Sequence, residues 1–172
     1  GTSLDPEQQR ALLVSLREAL EQDGDVKLLA HLPQGLETLA AKLDAAVSDG
    51  GTALGIACDG GHEAVARLLV QQGAAVDAAT QDGATPLYVA CEKGHLEVAK
   101  LLLEAGSDVQ KATSNGVTGL VFACQNGHSE VAQLLLDNGA DVHAALPDGR
   151  TVMAFAKDDA IKQLLRQAGA RG

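Results

Sequence analysis

Tryptophan is missing from this 172-residue chain, and its other large aromatics are one tyrosine and two phenylalanines. So little aromatic surface argues against a sheet sandwich rich in aromatic and β-branched residues. The apolar 46% is mostly Ala, Leu and Val, which favours tightly packed helices. No apolar run approaches the roughly 18 residues that span a bilayer, and nothing at the N-terminus reads as a signal peptide. Direct membrane contact is therefore not expected. Bases are scarce as well: 13 Lys and Arg stand against 23 Asp and Glu, for a net charge of −10. That balance argues against nucleic-acid backbones and anionic lipid as partners. The excess acid falls before residue 148, so a partner with a basic surface is the electrostatic expectation for the middle of the chain. Phosphate-loop, nucleophile-elbow and H-E-x-x-H motifs are all absent from the sequence, as is any Asn-x-Ser/Thr glycosylation acceptor.

What is present is a period. Asp49-Gly50, Asp82-Gly83, Asn115-Gly116 and Asp148-Gly149 recur every 33 residues, each followed two positions later by Thr52, Thr85, Thr118 or Thr151. Gly61-His62, Gly94-His95 and Gly127-His128 keep the interval, as do Leu68-Leu69, Leu101-Leu102 and Leu134-Leu135. Asp-Gly and Asn-Gly supply the positive φ angles of a tight hairpin. The threonine is suited to cap a first helix, with Pro86 at a position where a missing N–H costs nothing. Gly-His breaks the chain before a second helix, whose Val, Leu and Leu form an i, i+3, i+4 stripe that ends at Gly73, Gly106 or Gly139.

The stretch from Asp82 to Val98, with Lys100-Leu101-Leu102-Leu103 and Gly106 after it, closely resembles the ankyrin-repeat family. The resemblance covers residues 40–172 and implies an all-α solenoid of stacked helix-turn-helix units with projecting β-hairpin loops. We read residues 1–47 as an N-terminal helical cap, a degenerate first unit with an insertion. Full repeats follow at 48–80, 81–113 and 114–146. A C-terminal cap at 147–172 lacks the Gly-His loop, and its helices fall at 152–157 and 159–167. Polar caps at both ends are what a soluble solenoid requires.

The sequence departs from the family in several places. The His of Thr-Pro-Leu-His is absent from every unit, and the usual Asn near the end of each unit is replaced by Asp77, Gln110 and His143. Gly119, near a helix start, is expected to weaken the array by about 0.5–1 kcal/mol relative to Ala.

Cys58, Cys91 and Cys124 are 33 apart and so occupy one equivalent site in successive units. Packed helices lie about 8–10 Å apart, whereas a disulfide needs Cα atoms within about 7 Å. These thiols read as small buried hydrophobes, and reduced thiols suggest an intracellular, cytoplasmic protein. His62, His95 and His128 belong to the Gly-His loops, and stacked residues in a row cannot converge on one metal ion. No catalytic, metal or cofactor site is expected, and neither is an enzyme.

Function is then expected to be protein–protein interaction by a monomeric module whose partner is another protein or peptide, not nucleic acid. The alternative is a regulatory or inhibitory segment that docks in cis on an enzyme or channel domain. The family resemblance implies that a partner lies along the concave side. At the hairpin tips this singles out Ser48, Asp49, Gly51, Gln81, Asp82 and Ala84, then Ser114, Asn115, Val117, Asp148 and Arg150. On the first helices it singles out Asp59, Tyr88, Glu92, Lys93, Gln125 and Asn126. Tyr88 stands where the family has His, and tyrosines are enriched at interface hot spots. Phe122 and Phe155 are assigned to the core.

Overall fold

The computed structural model describes residues 52–71 and 73–170. The N-terminal cap read at 1–47, and Ser48, Asp49 and Gly51, lie outside the described residues. The rest is helical, with no strand among the described residues. The elements are α1 (Ala53–Gly60), α2 (Glu63–Gln71), α3 (Pro86–Lys93), α4 (Leu96–Glu104), α5 (Gly119–Asn126), α6 (Ser129–Asp137), a 3₁₀ turn (Val152–Phe155) and α7 (Asp159–Gln167). The fold is an all-α repeat solenoid. Inner helices α1, α3 and α5 and the 3₁₀ turn stack on one another, and outer helices α2, α4, α6 and α7 form the second layer.

Local chemistry sets the element ends. Thr52 and Thr85 cap their helices, each hydroxyl accepting from the backbone N–H three residues on, at 3.1 and 3.2 Å. Thr118 and Thr151 do not, contrary to the sequence expectation. At Thr151 the amide in question, that of Ala154, donates instead to the Thr151 carbonyl at 3.0 Å in the 3₁₀ turn. At Thr118 the first helical turn around Gly119 is loose, with Phe122 N–H reaching the Thr118 carbonyl at 3.4 Å. The outer helices close alike: the amides of Ala74, Ser107, Ala140 and Ala170 return to the carbonyls of Leu69, Leu102, Leu135 and Leu165 at 2.9–3.0 Å. That is the six-to-one bond of a helix ending in a left-handed glycine.

At the hairpins only the glycine has positive φ, 88° at Gly83 and 77° at Gly116; Asp82 and Asn115 do not. Thr80 N–H donates to the Ala84 carbonyl and Gly83 N–H to that of Thr80. This is a three-residue loop closed by a left-handed glycine, not the two-residue turn that needs positive φ twice.

In the C-terminal unit, α7 forms as expected, but the inner helix at 152–157 is reduced to one 3₁₀ turn. With the Gly-His loop deleted, three residues carry the chain from the inner to the outer layer. Ala156 is extended, Lys157 N–H donates to the Cys124 carbonyl at 3.1 Å, and Asp158 already caps α7 by accepting from Ile161 N–H at 2.9 Å.

The core is one continuous column. Leu54, Ala57 and Cys58, then Leu87, Ala90 and Cys91, then Leu120, Ala123 and Cys124 are buried on the inner helices, backed by Val65, Leu69, Val98, Leu102, Val131, Leu135, Ile161 and Leu165. Gly119 sits where α3 and α5 meet: a Cβ added there would lie 3.1 Å from Cys91 Sγ. The gain in helix propensity from alanine is thus opposed by overpacking, which typically costs ~1–3 kcal/mol. We predict that Gly119→Ala lowers stability in urea unfolding of the full chain, and that the loss shrinks in a Cys91→Ala background. Stabilisation by the single substitution would refute the close approach.

Candidate partner-binding surface

Two polar seams tie the units together and occupy several candidate residues. In the first, His95 Nε2 meets the Asp59 carbonyl and His128 Nε2 the Glu92 carbonyl, each at 3.1 Å. Lys157 Nζ takes the same role in the last unit, donating to the Asn126 carbonyl at 2.9 Å. Asn126 itself donates its amide to the Glu92 carbonyl at 2.8 Å, so this candidate is a structural tie. In the second seam, Asp77 accepts from Ser107 Oγ at 2.6 Å and from Asp108 N–H at 3.2 Å. Gln110 then donates to the Gly139 carbonyl at 2.7 Å and accepts from Asp141 N–H at 3.2 Å. Asp77 and Gln110, two of the replacements for the family's Asn, therefore link each unit to the next. The tips are joined as well, Ser114 N–H donating to the Asp82 carbonyl at 2.8 Å.

The remaining candidates divide into ion pairs and an open groove. Lys93 Nζ lies 3.1 Å from the Asp59 carboxylate, and the Arg150 guanidinium 2.6 Å from that of Asp148. Gln81 is exposed at its tip, while Ala84 is half-buried, its N–H donating to Thr80 Oγ1. The Thr80 hydroxyl donates to the Asp82 carboxylate and holds it below the usual carboxylate range.

The groove, about 470 Å³, lies between the third full unit and the C-terminal unit. It gathers six candidates, Ser114, Asn115, Val117, Gln125, Asp148 and Arg150, around Val121, Phe122, Leu146, Pro147 and Phe155. Phe122 and Phe155 are therefore not core residues. Each is half-buried with a face on the groove. Phe122 stacks on Tyr88 with ring centroids 5.1 Å apart at 59°, and the Arg150 guanidinium covers Phe155 at 4.6 Å. All three large aromatics of the chain thus stand in successive units on one face. The helical period carried the signal: Leu120, Ala123 and Cys124 make the core stripe, and a residue two positions after Leu120 falls about 200° away from it. Ile56 and Val89 share that register, and Ile56 is 40% exposed.

Burial, then the charges of Glu92 and Asp82, push the Tyr88 phenol up to about 12. Burial does the same to the thiols of Cys58, Cys91 and Cys124, all free and enclosed in the core. Among the described residues no group of three or more His, Cys, Asp or Glu converges as a metal site, and no helix is long and apolar enough to cross a membrane.

Stacked helix-turn-helix units, hairpins along one side and a groove between them define a repeat solenoid. Its family is shown by two family models: ankyrin repeats (3 copies) matches residues 16–113, and ankyrin repeats (many copies) matches 102–156. The chain belongs to the ankyrin-repeat family. Domains of this family are generally protein–protein interaction modules and are typically not catalytic. No curated protein matches the sequence.

The thiols give a pH prediction. The folded chain keeps them protonated up to about 12, while the unfolded chain releases those protons from 9.0. Their contribution is fully present below pH 9 and is lost as pH rises toward 12, at no more than ~1.4 kcal/mol per unit for each thiol. Urea unfolding of Cys124→Ala across that window should show a shallower decline than wild type, and an unchanged slope would count against it.

Proposed function

We propose that this chain is a non-catalytic recognition module that binds a partner protein or peptide across the hairpin and inner-helix side of the stack. In this reading full repeats at 48–80, 81–113 and 114–146 lie between caps at 1–47 and 147–172. The single observation that carries it is the alignment of Tyr88, Phe122 and Phe155 along one face, half-buried and bordering an open groove. A chain with three large aromatics would ordinarily bury them for the sake of its core. Holding them at a groove suits the anchoring role that aromatic side chains play in interfaces. Three free, buried thiols fit a reducing, intracellular setting.

The test is affinity capture from native cells with wild type and with a double variant, Tyr88→Ala and Glu92→Lys. Wild type is expected to retain partners that the double variant loses, with both proteins melting at similar temperatures. Equal capture of the same partners by both would place the binding surface elsewhere.

A further inference from the structure

The charges along this face are unequal in a way that specifies a partner. Its described acids are Asp59, Asp82, Glu92 and Asp148, and its bases are Lys93 and Arg150. Both bases are committed, Lys93 to Asp59 and Arg150 to Asp148. Asp82 and Glu92 remain without a basic partner. Glu92 lies four residues after Tyr88 on α3, hence on the same helix face. Asp82 is at the hairpin tip of the same unit, and both charges act on the Tyr88 phenol. An anionic site with an aromatic floor therefore stands one unit away from an apolar groove.

The groove limits the form of the occupant. A helix about 10 Å across would fill 470 Å³ within ~6 Å of its length, barely one turn, whereas several extended residues fit. Successive helices are about 8–10 Å apart, and extended chain advances about 3.3 Å per residue. One unit of the stack thus corresponds to about three residues of an extended peptide.

Resting on the reading above, we propose that the face takes an extended basic–apolar peptide. An apolar side chain enters between Phe122 and Phe155, and a Lys or Arg about three to four residues away lies over Tyr88 between Asp82 and Glu92. The cation gains both carboxylates and the ring face, while Tyr88 and Phe122 form the wall that joins the two sites.

The probe is a displayed library of random dodecapeptides, selected against the full chain. Wild type is expected to enrich peptides with Lys or Arg at that spacing from an apolar residue. Replacing the basic residue of an enriched peptide by Glu is expected to weaken binding about tenfold or more. The double variant Asp82→Lys with Glu92→Lys changes side chains outside the core and is expected to enrich an acidic residue at the same position. Phe122→Ala, with its melt recorded to confirm folding, is expected to lose the apolar anchor. Enrichment of acidic or uncharged motifs by wild type, or of no motif, would overturn the basic–apolar assignment. It would leave the broader reading standing if Tyr88→Ala with Glu92→Lys still loses its cellular partners. If wild type and Phe122→Ala enrich the same peptides, the groove assignment fails as well.

Discussion

Everything in this molecule depends on the contact between one unit's inner helix and the next. Helices of eight or nine residues are marginal alone in water, and a single unit cannot enclose its own apolar stripe. Burial is completed only when Leu87, Ala90 and Cys91 of α3 meet Leu54, Ala57 and Cys58 on one side and Leu120, Ala123 and Cys124 on the other. Small residues at these sites bring the backbones close. Gly119 against Cys91 marks how close: at that point even a methyl group is excluded. The stack is therefore held by shape before polar contacts are counted.

The polar seams follow from that proximity. Only because adjacent inner helices lie side by side can His95 and His128 reach the last carbonyls of the preceding helix. At the C-terminal end the histidine is gone with its loop, yet Lys157 still fills the same position. Similarly Asp77 and Gln110, chemically different from each other, each bridge to the loop of the following unit. The position demands a polar bridge of suitable length, and more than one residue type satisfies it.

These relations explain what could be read from the chain and what could not. The period, the left-handed glycines after the outer helices and the structural use of the Gly-His pair are local or repeated features, so they are legible one unit at a time. The sign of the Gly119 effect is not, because it depends on a sulfur atom 28 residues earlier in the sequence. Phe122 and Phe155 were misread because hydrophobicity alone says core, whereas their helical phase, two residues beyond the buried leucine position, says groove. Arg150 illustrates a third case: its lone positive charge at a tip says nothing of the Asp148 pairing that neutralises it, or of the ring it covers.

The same constraint shapes recognition. Since the core stripe is fixed by stacking, the position two after the buried leucine is free to vary without disturbing it. Along the described units it holds Ile56, Val89, Phe122 and Phe155, growing from aliphatic to aromatic toward the C-terminal end. Charge runs the other way, because the residual carboxylates Asp82 and Glu92 belong to the middle unit while Arg150 is neutralised beside the groove. A partner crossing this face therefore meets an anionic aromatic site first and an apolar cleft second, in an order set by the stacking itself. Shifting the partner by one unit would set its cation against Phe122 and its apolar anchor against carboxylates. Register along the array is thus specified by two unlike sites held one helix spacing apart, rather than by total buried area.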